Sequence, residues 1–381
     1  MPIGELVKKK RSKQIVFGKG KAKHSRSTDV IIIGGGIIGS SIGFELTKHN
    51  LSVTILEKNN QPGIEASSAA FGTLPVRAYP VMSAEHYTLL TESVAIYPGW
   101  LSEINAITGG DLVLESKKCI LIALNESDVN NLTTLYHFLK KKGIKAEYLT
   151  PNQVKKIEPN VTPNLIRGLL IPDDLQINDM VKLTQSVCKA AEMNGCNFIL
   201  NSQVIELIYK KEKLVGVKTK DSTYYGKKII ISAGCWSGTI DGAPILPITP
   251  IRCQGMMVDG PGLLKNRILS SSGYMAPRSD GKIILGIVEE FVGFKSNPTV
   301  GAAQVIMTGA IDLLPKIKSS EIVRLWAGNK PSTPDSVPIL GSPSDYPNLI
   351  YATGHLIGMM LAPITAKLIT ELIVSSTAET F

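Results

Sequence analysis

Six residues, Gly34-Gly-Gly-Ile-Ile-Gly39, restrict the fold of this 381-residue chain more than any other stretch, because of what flanks them. Before them, Asp29-Val-Ile-Ile-Ile33 is the apolar, β-branched run that a strand buried on both faces requires. After them, Ile37, Ile38, Ile42 and Leu46 recur at helical spacing to about His49, and Leu51 to Glu57 reads as a second strand. Strand, glycine turn, helix and strand within about 30 residues form a right-handed βαβ crossover. In the turn, Gly34 permits the tight reversal, Gly36 lets the backbone approach a pyrophosphate, and Gly39 lets helix and strand pack closely. The helix N-terminus then presents about half a positive charge to the anion. Glu57 stands 18 positions after Gly39, where its carboxylate is placed to accept both ribose hydroxyls and to repel a 2′-phosphate. NADP is disfavoured, but this spacing alone does not separate FAD from NAD.

The length predicts two to three domains, and the order of elements predicts that they interleave. Ser83 to Ile104 reads as a helix outside the nucleotide unit, followed by strands at Asp111–Leu114 and Lys118–Leu124 and a helix from Asp128 to Lys142. A strand at Arg167–Ile171 and a helix capped by Asn178 or Asp179 bring the chain back to the nucleotide unit. A meander from Gln203 to Ser232 ends by delivering Ala233-Gly234 to a strand end, where a cofactor can be approached closely. Strands near Ile251–Val258, Gly273–Pro277 and Lys282–Gly286, a helix over Thr299–Leu314 and a strand over Glu321–Ala327 follow. The chain closes with a strand at Leu349–Thr353, the turn Gly354-His355 and an apolar helix from Gly358 to Val374.

The net charge of +9 sits almost wholly in residues 1–28, which hold nine Lys and Arg against the single Glu5. This stretch reads as a basic, solvated tail, either dispensable, or touching an anionic surface, or serving as a leader. It has no apolar run long enough for a signal peptide, and no stretch of the chain approaches the 18 or so uninterrupted apolar residues of a bilayer span. Five cysteines without a CxxC pair or zinc-type spacing predict reduced thiols, no metal and a cytoplasmic protein, at most peripheral to a membrane.

Several segments beyond the glycine turn carry a family resemblance: SSAAFGTL at Ser67–Leu74, AGCWSG at Ala233–Gly238, YMAPRSDGKIILG at Tyr274–Gly286, LWAG at Leu325–Gly328, TPDSVPILG at Thr333–Gly341 and ATGHLIGMMLAP at Ala352–Pro363. With the turn itself they resemble the D-amino-acid-oxidase-type FAD-dependent oxidoreductases, especially the glycine oxidase and D-amino-acid dehydrogenase branch. The resemblance covers Asp29 to about Val374. It implies an α/β fold in which a Rossmann-like FAD-binding domain (29–80, 165–245 and 325–381) interleaves with an α+β substrate domain (81–164 and 246–324) built on a mostly antiparallel sheet.

It also implies FAD, held noncovalently because no cysteine lies in the stretch used for attachment in some relatives. The expected cofactor contacts are Gly34, Gly36, Ile37, Ile38 and Gly39 at the turn, with Glu57 and Lys58 after the second strand. Ser67, Ser68, Phe71, Gly72 and Thr73 lie along the flavin, Val204 reaches the adenine side, and Gly234 marks the strand end. Gly354, His355, Leu356, Ile357, Gly358, Met359 and Met360 cover the pyrimidine end.

The implied reaction is oxidation of a carbon–nitrogen bond in a small amine or amino acid, with O2 or a quinone or protein carrier as electron acceptor. Such chemistry asks for positioning and electrostatics more than for an acid or base. Tyr274 matches a substrate-side tyrosine. Lys330 stands where relatives carry a carboxylate-binding arginine, and a lysine offers a point charge without the planar fork. Glycine oxidases place another arginine in the turn after the histidine, which here reads His355-Leu-Ile-Gly358. His355 is expected to pack or hydrogen-bond beside the flavin, and Arg77, Arg252 and Arg278 are further clamp candidates. Rival readings are a flavin-bearing subunit of a homo- or hetero-oligomeric complex, and an NAD(P)H-driven monooxygenase or reductase, for which no second nucleotide fingerprint is seen.

Overall fold

The computed structural model describes residues 27–74, 83–177 and 179–378. The basic tail to residue 26, Arg77 and Asn178 lie outside them.

Two sheets organise the chain. The first has a parallel centre in the order β17 (Leu349–Thr353), β10 (Thr223–Ile231), β1 (Ser27–Ile33), β2 (Val53–Leu56) and β7 (Asn197–Ile199). The short β16 (Ile339–Gly341) pairs antiparallel with β17, and the hairpin of β8 (Val204–Lys210) and β9 (Lys213–Thr219) hangs from the start of β10. β1 begins at Ser27, so Ser27 and Thr28 belong to the sheet rather than to the tail, paired with Tyr225 and Gly226. The β-branched run is needed because both faces are covered. Val30 and Ile32 meet the helices α1 (Ile37–Leu46), α5 (Met180–Met193) and α7 (Gly358–Ala378), while Ile31 and Ile33 meet the hairpin side.

The second sheet runs β15 (Ile322–Ser332), β11 (Thr249–Asp259), β14 (Lys282–Glu290), β13 (Gly273–Pro277), β12 (Arg267–Ser270), β4 (Leu114–Ala123), β6 (Arg167–Ile177) and β3 (Thr73–Leu74), with β5 (Glu147–Leu149) also on β6. Its pairs are antiparallel except β12 with β4. One face is backed by α6 (Val300–Leu313) and α4 (Pro151–Ile157), and α3 (Glu126–Lys141) packs on β4 and β6.

Several expected boundaries move. The strands expected at Asp111–Leu114 and Lys118–Leu124 are one strand, β4. Asp111 to Val113 stay out because the Asn105 side chain holds Leu112, accepting from its N–H at 3.0 Å and donating to its carbonyl at 2.9 Å. β6 runs on to Ile177 in the second sheet, so the return to the first layer comes at α5, capped by Asp179, rather than at residue 165. Position 325 falls inside β15, which pairs with β11 throughout. The helix expected outside the nucleotide unit, α2 (Ala84–Thr108), shares one core with α1, α5 and α7 through Leu90, Tyr97, Leu101 and Ile104.

One helix among the described residues is long and apolar enough to cross a membrane, Gly358–Ser375 of α7, yet 61% of that window is buried inside the fold.

Candidate functional site

The two sheets share a cavity that starts at the glycine turn and ends against the cavity-facing side of β12 to β14. At its first end the turn leaves no room for side chains. Gly34 has φ +105°, and a Cβ there would stand 2.7 Å from the Ser232 carbonyl oxygen. A Cβ on Gly39 would be 2.0 Å from the Gly34 carbonyl oxygen and 2.5 Å from Ser232 Oγ. Gly39 is therefore the packing glycine and does not itself line the cavity, whereas Gly34, Gly36, Ile37 and Ile38 do. The N–H of Ile37 donates to Ser67 Oγ at 3.0 Å, which ties the start of α1 to the segment that follows β2.

Glu57 is buried, and Oε2 accepts the N–H of Gly35 at 2.7 Å while Oε1 accepts both the N–H and Nδ2 of Asn59 at 2.9 Å. Burial holds its carboxyl above the ordinary range, and those three donors pull it partly back. A carboxylate has about four acceptor sites, so Glu57 has less free capacity than two ribose hydroxyls ask for. Lys58 pairs with Glu65 at 2.8 Å and lies 3.1 Å from the centre of the Trp236 ring. Val204 lines the same end from β8, and Gly234, at φ +55°, follows β10 with open space where a Cβ would point.

Along the middle run Ser67, Phe71, Gly72 and Thr73. Ser68 does not face the cavity, because its hydroxyl donates to the carbonyls of Ile64 and Glu65 at 2.8 and 2.9 Å. The Phe71 ring packs edge-on against Tyr274 and obliquely against Trp326, both at 5.6 Å between centres. It fills a notch where Gly255 and Gly286 lack side chains, since a Cβ on either would come within 2.6 or 2.5 Å of it. Tyr274 donates its hydroxyl to Thr73 Oγ1 at 2.9 Å.

The C-terminal turn closes the opposite wall with Gly354, His355, Leu356, Ile357, Gly358, Met359 and Met360. Gly354 has φ +75°, and a Cβ there would meet Thr333 Cγ2 at 2.7 Å. His355 is buried with Nε2 3.0 Å from Thr365 Oγ1, and burial, helped by nearby His86, drops its pKa to about 3. The ring is neutral at any working pH, so His355 is no proton donor of ordinary strength.

The candidate clamps fall apart from one another. Arg252 pairs with Glu290 at 2.9 Å, Arg278 with Asp280 at 3.3 Å, and neither lines the cavity. Lys330 does line it, but its ammonium is paired with Glu289, and its side chain keeps 23% of its exposure. Sequence reasoning missed Arg267 and Leu269 of the second sheet, because no strand was expected at Arg267–Ser270, and Ile287, because the strand expected from Lys282 was ended at Gly286. The alternation of Arg267 and Leu269 with core-facing Ile268, just before the Ser271-Ser-Gly273 turn, was the available signal. Cys235 and Cys253 also line the cavity.

Residues 29–372 match the family model described as DAO, FAD dependent oxidoreductase. The chain belongs to that family. Glycine oxidase from Geobacillus kaustophilus is 30% identical, with 91% of this chain and 92% of that protein covered. Its crystal structure superposes with a TM-score of 0.88 at 28% identity, over 92% of this chain and 95% of that one. The bifunctional protein ThiO/ThiG of Nostoc sp. is 30% identical over 92% of this chain, which spans only 53% of that longer protein. The cofactor of this FAD-dependent oxidoreductase is FAD, and its residues fit one. The cradle at Gly34 and Gly39 is closed to side chains, a helix N-terminus faces it, and a carboxylate stands at the end of β2.

Proposed function

We propose that the protein oxidises the carbon–nitrogen bond of a small amino acid or secondary amine. The observation that carries this reading is the composition of the cavity's substrate end. Phe71, Leu269, Tyr274 and Ile287 make it apolar, the Arg267 guanidinium and the Glu289-paired Lys330 add polar groups to its wall, and among the described residues the carboxylates lining the cavity, Glu57 and Glu65, stand near the nucleotide turn and Lys58 instead. Such an end, with no carboxylate among the described residues that line it, suits a small amine that reacts by being held in place.

Bound FAD would supply a two-electron acceptor for hydride from the carbon beside the nitrogen; the nitrogen has to shed its proton before that, and the iminium left behind adds water and breaks down to a carbonyl compound and the free amine. The chain's own part is to bind and orient. The turn from Gly354 to Met360 and the segment from Ser67 to Thr73 are the proposed flavin contacts, with the turn at Gly34 on the pyrophosphate and Val204 beside adenine. Tyr274 holds Thr73 in register with the substrate wall. Burial pushes the Cys235 thiol up to about 12 and the Cys253 thiol to about 11, so neither supplies a thiolate for attachment to the flavin. FAD is accordingly read as noncovalent. The departures from arginine at Lys330 and in the turn at Ile357 leave glycine, D-amino acids, N-alkyl and cyclic imino acids as the substrate class. The likeness to glycine oxidase supports O2 as acceptor, with a quinone or protein carrier as the alternative. Five buried cysteines without a disulfide support a cytoplasmic location.

A second reading, a flavin-bearing subunit of a larger enzyme, is favoured by 25% identity to hydrogen cyanide synthase subunit HcnC of Pseudomonas protegens over 91% of this chain. It predicts a co-purifying polypeptide and no turnover by the chain alone.

The deciding experiment is anaerobic mixing of the yellow protein with glycine and with D-, L-, N-methyl and cyclic amino acids, followed by air. Bleaching by at least one of them is expected, and a flavin that stays oxidised with every amine would sink the reading.

A further inference from the structure

We infer that Phe71 sets the size limit on the substrate, and that its ring covers an apolar pocket built into the second sheet; this rests on the amine-oxidation reading above. The register places Trp326 of β15, Gly255 of β11, Gly286 of β14 and Tyr274 of β13 directly across from one another on four neighbouring strands. Directly paired residues share a face of a sheet, so two large rings stand at the ends of one row with two bare positions between them. At about 4.8 Å per strand, the row leaves a trough about 14 Å wide at the backbone.

The Phe71 ring lies in that trough, with its Cε1 and Cζ atoms where side chains on Gly286 and Gly255 would otherwise begin. Phe71 and Tyr274 line the cavity, whereas Trp326, Gly255 and Gly286 do not, so the ring is what separates them from it. Phe71 itself is only half-buried, which leaves the rest of its surface to the cavity. The two flanking rings are fastened independently of it. Trp326 Nε1 donates to the Ala69 carbonyl at 3.0 Å, and the Tyr274 hydroxyl donates to Thr73 Oγ1 at 2.9 Å. These anchors lie two residues to either side of Phe71, so trimming its ring leaves the walls of the trough standing. Surroundings that do not collapse turn a large-to-small replacement into usable space.

Phe71 belongs to the Ser67–Thr73 segment proposed to run along the flavin and touches Tyr274 on the substrate wall, so it stands where the two meet. A substituent on the reacting carbon or nitrogen that points toward the second sheet meets this ring. Hydrogen or methyl passes. A branched or aromatic group does not, because a packed ring backed by main chain has nowhere to move. With the ring gone, the same group finds a pocket of two aromatic side chains and bare backbone, which takes an apolar substituent.

The test compares FAD-loaded wild type with Phe71→Leu and Phe71→Ala. Anaerobic flavin reduction is followed with glycine, with alanine, leucine and phenylalanine of both chiralities, and with N-methyl- and N-benzylglycine. In the wild type the rate is expected to fall as the substituent grows. In Phe71→Ala the preference for the leucine, phenylalanine and N-benzyl members over the smallest substrate oxidised should rise about tenfold or more, with Phe71→Leu in between. Toluene gives a reading without turnover: it should raise the melting temperature of FAD-loaded Phe71→Ala and leave the wild type unmoved. Melting temperature and FAD content identify the folded, loaded proteins to be compared, and Phe71→Leu serves if Phe71→Ala does not fold. An unchanged preference in folded variants overturns the assignment, as does a wild type that oxidises phenylalanine as fast as its smallest substrate. If no amine bleaches wild type or variants, the amine-oxidation reading falls and toluene alone decides, its failure to stabilise the trimmed variant overturning the pocket.

Discussion

Gly39 illustrates how little tolerance single positions have around the cofactor. A methyl group there would overlap the Gly34 carbonyl oxygen, a backbone atom that cannot swing away. Gly39→Ala is expected to cost about 1–3 kcal/mol or more and to yield protein that loses its yellow colour on gel filtration. Unaltered melting and full FAD content would show that α1 can rise from the turn. His355 makes a separate prediction through pH. Its pKa falls from the ordinary 6.5 to about 3 in the folded chain, so the unfolded chain binds the proton more readily. The folded state is favoured in full above pH 6.5, and that contribution drains as pH falls toward 3, by about 1.4 kcal/mol per unit for one proton. In His355→Gln the drain is absent, so the stability gap between wild type and variant should narrow steadily below pH 6.5. Thermal melts at pH 7.5 and 4.5 read it, and an identical gap at both would contradict a buried neutral imidazole. The glycines and Glu57 were legible in the sequence because their spacing has a mechanical meaning. Ser68 was grouped with the flavin contacts and Gly39 with the contacts of the turn, because sequence adjacency does not say which neighbour turns its back on the cavity.

Among the elements, the junction of α2 with α7 gives the clearest local dependence. Pro363 has no N–H, so the Met359 carbonyl four residues earlier has no helical donor. The hydroxyl of Tyr97 donates to it, and Ser93 Oγ donates to the next carbonyl, Met360, at 2.6 Å. Both side chains come from α2, which therefore steadies the first turn of α7 and the turn from Gly354 to Ile357 that precedes it. Tyr97→Phe leaves a buried carbonyl without a donor, with an expected loss of about 1–3 kcal/mol. Chemical denaturation of the holoprotein, together with the rate of FAD release, should show both a lower midpoint and faster release. This helix was predicted as a helix, yet its place was misjudged, since an amphipathic pattern announces a buried face without naming what lies against it. The same limit applies to β6 and β15. Their existence was readable in the sequence, but sheet membership is decided largely by distant partners along the chain, such as Leu114 for Ile177 and Thr249 for Ser332.

At the scale of the whole molecule, the cavity is walled by both sheets, so cofactor binding should stabilise the chain as one body. Adding FAD to apoprotein at a hundredfold excess over Kd is expected to contribute about 2.7 kcal/mol and to raise Tm in a concentration-dependent way. NADP should give no such shift, because the Glu57 carboxylate opposes a 2′-phosphate. A Tm that rises equally with both nucleotides would contradict the assignment of that carboxylate. The parallel layer was legible from the start because its strand, turn and helix are contiguous, whereas the second sheet is assembled from distant pieces of chain.

The ring of Phe71 seated between Gly255 and Gly286 has a consequence for how proteins of this design can change. It works as a tenon in a mortise: trimming the ring leaves a hollow, and filling either glycine pushes the ring out. Substrate-side variation at these three sites must therefore proceed by paired replacements, a smaller group at 71 together with a larger one at 255 or 286.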